Sequence, residues 1–150
     1  MSYENPWLYL EQPFDSDSIG DNFGFVYKIT NLLNGRSYIG RKYFWSFRTP
    51  PGKKRKQKQE SDWKRYYGSC PELKEDIKKI NNKIFFKREI LSLHETKGTC
   101  NFEETKQLFL NNVLSESLDT GEPAYYNSNI LGRYMRKDYG NFRNDSSNDS

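Results

Sequence analysis

The order of apolar and polar positions divides the chain into short periodic stretches. From Phe25 to Thr30, Phe25, Tyr27 and Ile29 alternate with Val26, Lys28 and Thr30, a period of two that predicts a β-strand. A second strand is predicted over Arg36–Gly40. Asn34-Gly35 lies between them, a strong hairpin turn pair because both residues tolerate positive φ. The period then changes. Leu73, Ile77 and Ile80 recur on one helical face, Pro71 falls in the first turn, and Ser69 with Glu72 has capping-box spacing. Over Ile84–Leu93 the alternation returns, Phe86, Arg88 and Ile90 against Phe85, Lys87 and Glu89. A second helix is predicted from Phe102 to about Ser117, with Asn101 and Glu104 as its capping pattern and Phe102, Phe109 and Val113 inward. Strand, strand, helix, strand, helix (β-β-α-β-α) predicts a small α+β domain: a mixed or antiparallel three-stranded sheet flanked by helices.

The stretches without a period set the boundaries. Residues 1–22 are polar and broken by Pro6 and Pro13, which predicts an N-terminal arm pinned by Trp7 and Tyr9. The periodic elements fill residues 23–131. Inside them, residues 49–60 carry turn residues and charge without a repeat and predict a mobile insertion. "GEPAYYNSNI" reads as an irregular return segment. Residues 132–150 are rich in Asn, Asp and Ser and predict a disordered tail. No internal repeat is present.

Composition changes this picture in two ways. Only 34% of the 150 residues are hydrophobic but 16% are aromatic, so Phe and Tyr must supply much of a small core. No apolar stretch is long enough to span a membrane, and the N-terminus lacks the pattern of a signal peptide. The expected location is cytoplasmic, with no membrane partner. There Cys70 and Cys100 are expected to be free thiols, and their spacing fits no zinc pattern.

Charge is the second change. The net +4 is modest, but Arg41 to Arg65 hold ten basic residues against two acids, Glu60 and Asp62, a local excess of eight. They are Arg41, Lys42, Arg48, Lys53, Lys54, Arg55, Lys56, Lys58, Lys64 and Arg65. A basic segment within a nearly balanced chain is the footprint of a polyanion. A solvated insertion without a partner is the alternative.

The stretch "FGFVYKITNLLNGRSYIGRK", Phe23 to Lys42, resembles the signature of the GIY-YIG nuclease superfamily, whose two halves appear as "GFVY" and "SYIG". Tyr27 and Tyr38 stand eleven positions apart, a spacing familiar from that family. "YKITNLLNGRSYIG" is similar to small bacteriophage nucleases, including stand-alone homing-type endonucleases. The resemblance spans roughly Phe23 to Ile130. It implies cleavage of double-stranded DNA with one divalent metal, Mg²⁺ or Mn²⁺, in a phage-infected host. It assigns catalytic roles to Tyr27, Tyr38 and Gly40, metal binding to Glu104 in "NFEETKQLF" with Glu103 its nearest competitor, and a terminal role to Asn127. The family arginine falls on Arg48 by spacing. Arg65 ranks next, in the helical-looking "SDWKRYYGS", and Arg41 follows. Lys53, Lys54, Arg55, Lys56, Lys58 and Lys64 would hold the duplex.

The chemistry is consistent with those residue types. One carboxylate can hold Mg²⁺ when water and phosphate oxygens complete the shell. An arginine fork meets two phosphate oxygens and keeps its proton. A phenol, of pKa about 10, must be lowered to accept a proton from water. Tyr27 is the expected acceptor, Tyr38 the orienting hydroxyl and Lys42 the cation that acidifies one of them. As plain strand residues the tyrosines need no such role, and Glu104 could be only a helix-capping acid. A non-catalytic nucleic-acid-binding module on the same fold is the rival reading. The discriminating feature is whether Arg41, Arg48 or Arg65 faces Tyr27 and Glu104. No second DNA-binding domain is evident. Sites would be chosen by loop and arm, by a homodimer, or with little selectivity.

Overall fold

The hairpin is where local sequence acts most directly. In the computed structural model, which describes residues 3–140, β3 (Gly24–Asn31) and β4 (Ser37–Tyr43) pair antiparallel, with Tyr27 opposite Gly40. The turn closes through Asn31 Oδ1, which accepts from Leu33 N, and Asn34 Oδ1, which accepts from Arg36 N. Only Gly35 is left-handed there (φ 82°). The Asn-Gly pair therefore works through asparagine side chains and one glycine rather than two positive φ angles.

Two short strands open the chain, β1 (Leu8–Tyr9) and β2 (Gln12–Pro13). With β7 (Phe86–His94) they give one mixed sheet, ordered β2-β1-β7-β3-β4. β7 runs antiparallel to β3 and parallel to β1. The α+β class holds, and the three predicted strands are its centre. The stretch read as a separate arm is instead the sheet's other edge. Trp7, Phe14 and Ile19 are buried, because a chain this poor in aliphatic residues needs those rings to cover β3 and β7.

Layers cover both faces. On one face pack Phe25, Tyr27 and Ile29 with Trp7, Trp63, Phe86 and Leu73 of α1 (Pro71–Ile80). On the other pack Val26 and Ile39 with Cys100 and Leu108 of α2 (Lys97–Leu110) and with Val113. Arg88 belongs to the first face although charged. It is buried and bonds only to carbonyls, of Glu4, Asn5, Lys64 and Tyr66, and lies over the Trp7 and Tyr67 rings. It fastens the first residues and the Trp63–Arg65 turn to the sheet.

Several expected elements differ. The proposed capping box is absent: Cys70 is the N-cap of α1 without a side-chain bond, and Glu72 is drawn to Arg36 at 2.6 Å. "SDWKRYYGS" contains a single 3₁₀ turn, Trp63–Arg65, rather than a helix. α2 begins earlier, capped by Thr96, whose hydroxyl accepts from Thr99 N. Phe102 consequently points outward, 70% exposed, Phe109 is about half exposed, and Val113 is buried beyond the helix end.

The expected loop is partly ordered. β5 (Trp45–Arg48) and β6 (Gln57–Glu60) form a separate antiparallel ribbon, and residues 49–56 make its tip. β8 (Asn129–Ile130) pairs with β9 (Tyr134–Met135), followed by the short α3 (Arg136–Tyr139). The expected tail is thus structured up to Tyr139, and residues 141–150 lie outside the described residues. Among the described residues no helix is long and apolar enough to cross a membrane.

Candidate active site

β4 is the free edge of the large sheet, and the return segment covers only its first half. Ser37 N donates to Ala124 O, and Tyr126 N donates to Ser37 O. Asn127 completes the cover: its Oδ1 accepts from Ile39 N at 3.1 Å and its Nδ2 donates to Ile39 O at 2.9 Å. With both amide atoms engaged, Asn127 substitutes for a neighbouring strand and is 6% exposed. Beyond Ile39 the edge is open, and there residues from both faces reach round the same strand.

One wall comes from the Tyr27 face. An added Cβ on Gly40 would stand 2.6 Å from Tyr27 Oη and 3.1 Å from the Tyr38 ring. Even alanine therefore cannot fit without displacing a phenol, and glycine here makes room for the two tyrosines. Gly68 (φ 85°) closes over both: its Cβ position lies 3.3 Å from the Tyr38 ring and 3.4 Å from Tyr27 Oη. The Tyr27 and Tyr38 rings are 6.3 Å apart, and Tyr66 meets Tyr27 edge-on at 6.0 Å. Burial pushes the Tyr27 phenol well above its ordinary value, and neighbouring Tyr66 adds to this. Burial also raises Tyr38, more than a hydrogen bond with Ser69 lowers it. Lys42 does not offset the rise, because Asp62 holds its ammonium at 2.6 Å and it sits 4.1 Å over the Tyr66 ring.

The other wall comes from α2. Arg41 Nη1 lies 3.7 Å from Glu104 Oε1. Asn101 Oδ1 accepts from Arg41 Nε and, at 2.9 Å, from Tyr43 Oη. Asn101, expected to cap the helix, instead fixes the guanidinium. Glu104 sits in the second turn, where burial raises its carboxyl more than Arg41 lowers it. Glu103 is turned away, accepting from Gln107 Nε2 at 2.7 Å. A cleft of about 400 Å³ separates the walls, and its lining includes Tyr38, Arg41, Ser69, Cys70, Glu104 and Asn127.

The three candidate arginines are now distinguished. Arg48 ends β5, exposed on the ribbon, and Arg65 is exposed on the 3₁₀ turn near Asp62. Neither lines the cleft. Arg41, ranked last by sequence, faces Glu104. Spacing counts across the ribbon, which interrupts the chain between hairpin and helix and carries Arg48 away from the cleft. Lys53, Lys54, Arg55, Lys56 and Lys58 are exposed on the ribbon, and Lys64 lies over Tyr3 and Trp63. Gly68, Ser69 and Asn101 were not assigned to the site beforehand. The one available signal was "YYGS", a glycine directly after two tyrosines.

The family model described as "Putative endonuclease segE, GIY-YIG domain" matches residues 7–130. The chain belongs to the GIY-YIG nucleases. The match begins at Trp7, so the SegE-type domain takes in β1, in agreement with the sheet. No curated protein and no solved structure matches the chain.

The donor set can be tested against a divalent cation. Among the described residues no cluster of three or more His, Cys, Asp or Glu side chains gathers. The cleft offers one carboxylate, hydroxyls and amide oxygen. The one thiol, Cys70, is turned to Tyr126 O at 3.6 Å, and the sparse oxygen set that remains fits a hard cation that keeps most of its water, as Mg²⁺ does.

Proposed function

We propose that this GIY-YIG protein is a metal-dependent endonuclease of double-stranded DNA, of the phage homing type. The observation that carries the reading is the meeting of Tyr38, Arg41 and Glu104 around one cleft. Glu104 would hold the divalent ion, Mg²⁺ or Mn²⁺, which when bound supplies Lewis-acid neutralisation of a phosphate.

The remaining roles belong to the chain. Arg41, held from the Nε side by Asn101, presents a guanidinium to non-bridging phosphate oxygens, where a planar fork stabilises added charge. Gly40 makes the room in which the Tyr27 and Tyr38 phenols are held. Tyr38, which lines the cleft, serves as a neutral phenol that hydrogen-bonds water and phosphate, and Tyr27, buried behind it, orients Tyr38. A pKa raised by burial leaves very little phenolate at neutral pH, so proton acceptance by Tyr27 is not part of this reading. Asn127 keeps the strand edge in place rather than touching substrate. The basic ribbon supports duplex DNA as the substrate, since phosphate contacts dominate affinity. The rival binding module would gain if no arginine faced the cleft; Arg41 lines it beside Glu104, which supports the nuclease reading.

The test is cleavage of an end-labelled duplex under single-turnover conditions in Mg²⁺ and in chelator. Internal cuts that need the cation support the reading. Cation-independent cutting, or trimming from ends only, contradicts it.

A further inference from the structure

The ribbon of β5 and β6 has two unlike faces. Its register pairs Trp45 with Glu60, Ser46 with Gln59, Phe47 with Lys58 and Arg48 with Gln57. Residues directly opposite share a face, so Trp45, Phe47, Lys58 and Glu60 form one side and Ser46, Arg48, Gln57 and Gln59 the other. The first side is fastened to the domain. Phe47 stacks on Phe23 with 6.4 Å between centroids, and Lys58 lies 4.3 Å over Trp45. Glu60 Oε1 accepts from Ser16 Oγ at 2.6 Å and from Trp63 Nε1 at 2.7 Å.

The second side holds an arginine, two glutamines and a serine, with Arg48 and Gln57 exposed. Those side chains suit base edges: arginine to the O6 and N7 of guanine, glutamine to the N6 and N7 of adenine. A two-stranded ribbon fits the major groove of B-form DNA, and its rise of about 3.4 Å per residue matches the spacing of base pairs. The tip adds Lys53, Lys54, Arg55 and Lys56 for the flanking phosphates. At the other end, Ser46 and Trp45 line a hollow shared with Arg41 and Lys42, and Arg41 also lines the cleft, so the hollow joins cleft to ribbon.

We infer that the ribbon is a sequence-reading element. It enters the major groove of duplex DNA with Arg48, Gln57 and Gln59 toward purine edges, while the tip lysines and Arg55 hold the backbone. This rests on the reading of duplex DNA as the partner, but not on catalysis. It would give the nuclease domain itself a means of choosing sites.

The test is selection from a random duplex pool by the full chain in chelator, so that binding is read apart from cutting. Three proteins are compared: wild type, Arg48→Ala/Gln57→Ala/Gln59→Ala, and Lys53→Gln/Lys54→Gln/Arg55→Gln/Lys56→Gln. Circular dichroism confirms that each is folded. Wild type is expected to enrich a short purine-containing motif. The face variant should lose its preference for that motif by about tenfold or more, the scale of one or two bidentate base contacts. The tip variant should keep the motif, bind all duplexes more weakly, and show a salt dependence flatter by roughly 0.9 per lost phosphate contact. The inference is overturned if wild type enriches no motif, if the face variant enriches the same motif equally, or if an RNA pool or a protein partner is retained more tightly than duplex DNA. Failure to cut DNA in Mg²⁺ alongside an enriched motif would remove the proposed activity and leave the ribbon's role standing.

Discussion

The two walls of the cleft are built to different rules. The tyrosine wall is part of the core: Tyr27 is 1% exposed, packed on Trp7, and set by a glycine that leaves no spare space. Its groups are neutral and their positions follow from packing. The α2 wall is half open, with an arginine 3.7 Å from a carboxylate and a single amide holding the arginine. A neutral packed wall can fix where a phosphate sits, whereas a charged wall can stabilise charge as it develops. At 3.7 Å with a part-exposed arginine, the ion pair is a weak contributor to folding, so Arg41 can be altered with small effect on stability. The tyrosine wall cannot.

That contrast is sharpest for Arg41. Arg41→Ala should lower single-turnover cleavage about 10²–10³-fold, the usual scale for losing one positioned transition-state donor, with thermal stability almost unchanged. Near wild-type cleavage would move the role to Arg48 or Arg65. Tyr27→Phe should lower the rate by up to about 10²-fold, the scale of a small misplacement at the site, and by the same factor at every pH, because a neutral phenol orients rather than ionises. A variant whose pH profile loses one limb would instead make Tyr27 the proton acceptor.

Gly40→Ala tests the tyrosine wall mechanically. The methyl group must displace Tyr27 or Tyr38, so stability should fall by roughly 1–3 kcal/mol, typical of overpacking, together with activity. Chemical denaturation measures the first. An alanine tolerated without loss would mean that the phenols have room to move and that the wall is not rigid.

The smallest effect concerns pH. Burial raises the Glu104 carboxyl and Arg41 opposes the rise. Only the carboxylate binds a cation, so Mn²⁺ binding should weaken as pH falls through a value above that of an ordinary glutamate. Arg41→Ala removes the opposing charge and should move that midpoint to higher pH. Calorimetric titration of Mn²⁺ across acidic to neutral pH reads it, and a shift to lower pH would contradict the arrangement.

Sequence reading found what depends on local pattern and missed what depends on tertiary contact. The hairpin, the third strand and the two helices follow from period and turn residues. Tyr27, Tyr38, Gly40 and Glu104 were named from a spaced motif, and the structure brings them to one strand edge. Arg48 was ranked above Arg41 because spacing cannot register a ribbon inserted after Tyr43. Asn101 was read as a cap because an asparagine three residues before a glutamate looks like one. Thr96 is the actual cap, and the displaced asparagine became the support for Arg41. Alternation put Arg88 on one face with Phe86 and Ile90, but nothing local shows that four carbonyls and two rings converge on it. The arm was read as polar chain, although Trp7, Phe14 and Ile19 close the core.

The central claim is that an ion held by Glu104, facing the tyrosine edge, makes this domain a nuclease. Its most direct test is conversion of supercoiled plasmid by wild type and Glu104→Ala, each in Mg²⁺ and in chelator, with duplex binding measured in parallel. The account predicts nicked and linear product from wild type in Mg²⁺ only, and none from the variant, which still binds duplex. Equal nicking by Glu104→Ala, or no product from wild type, would contradict it.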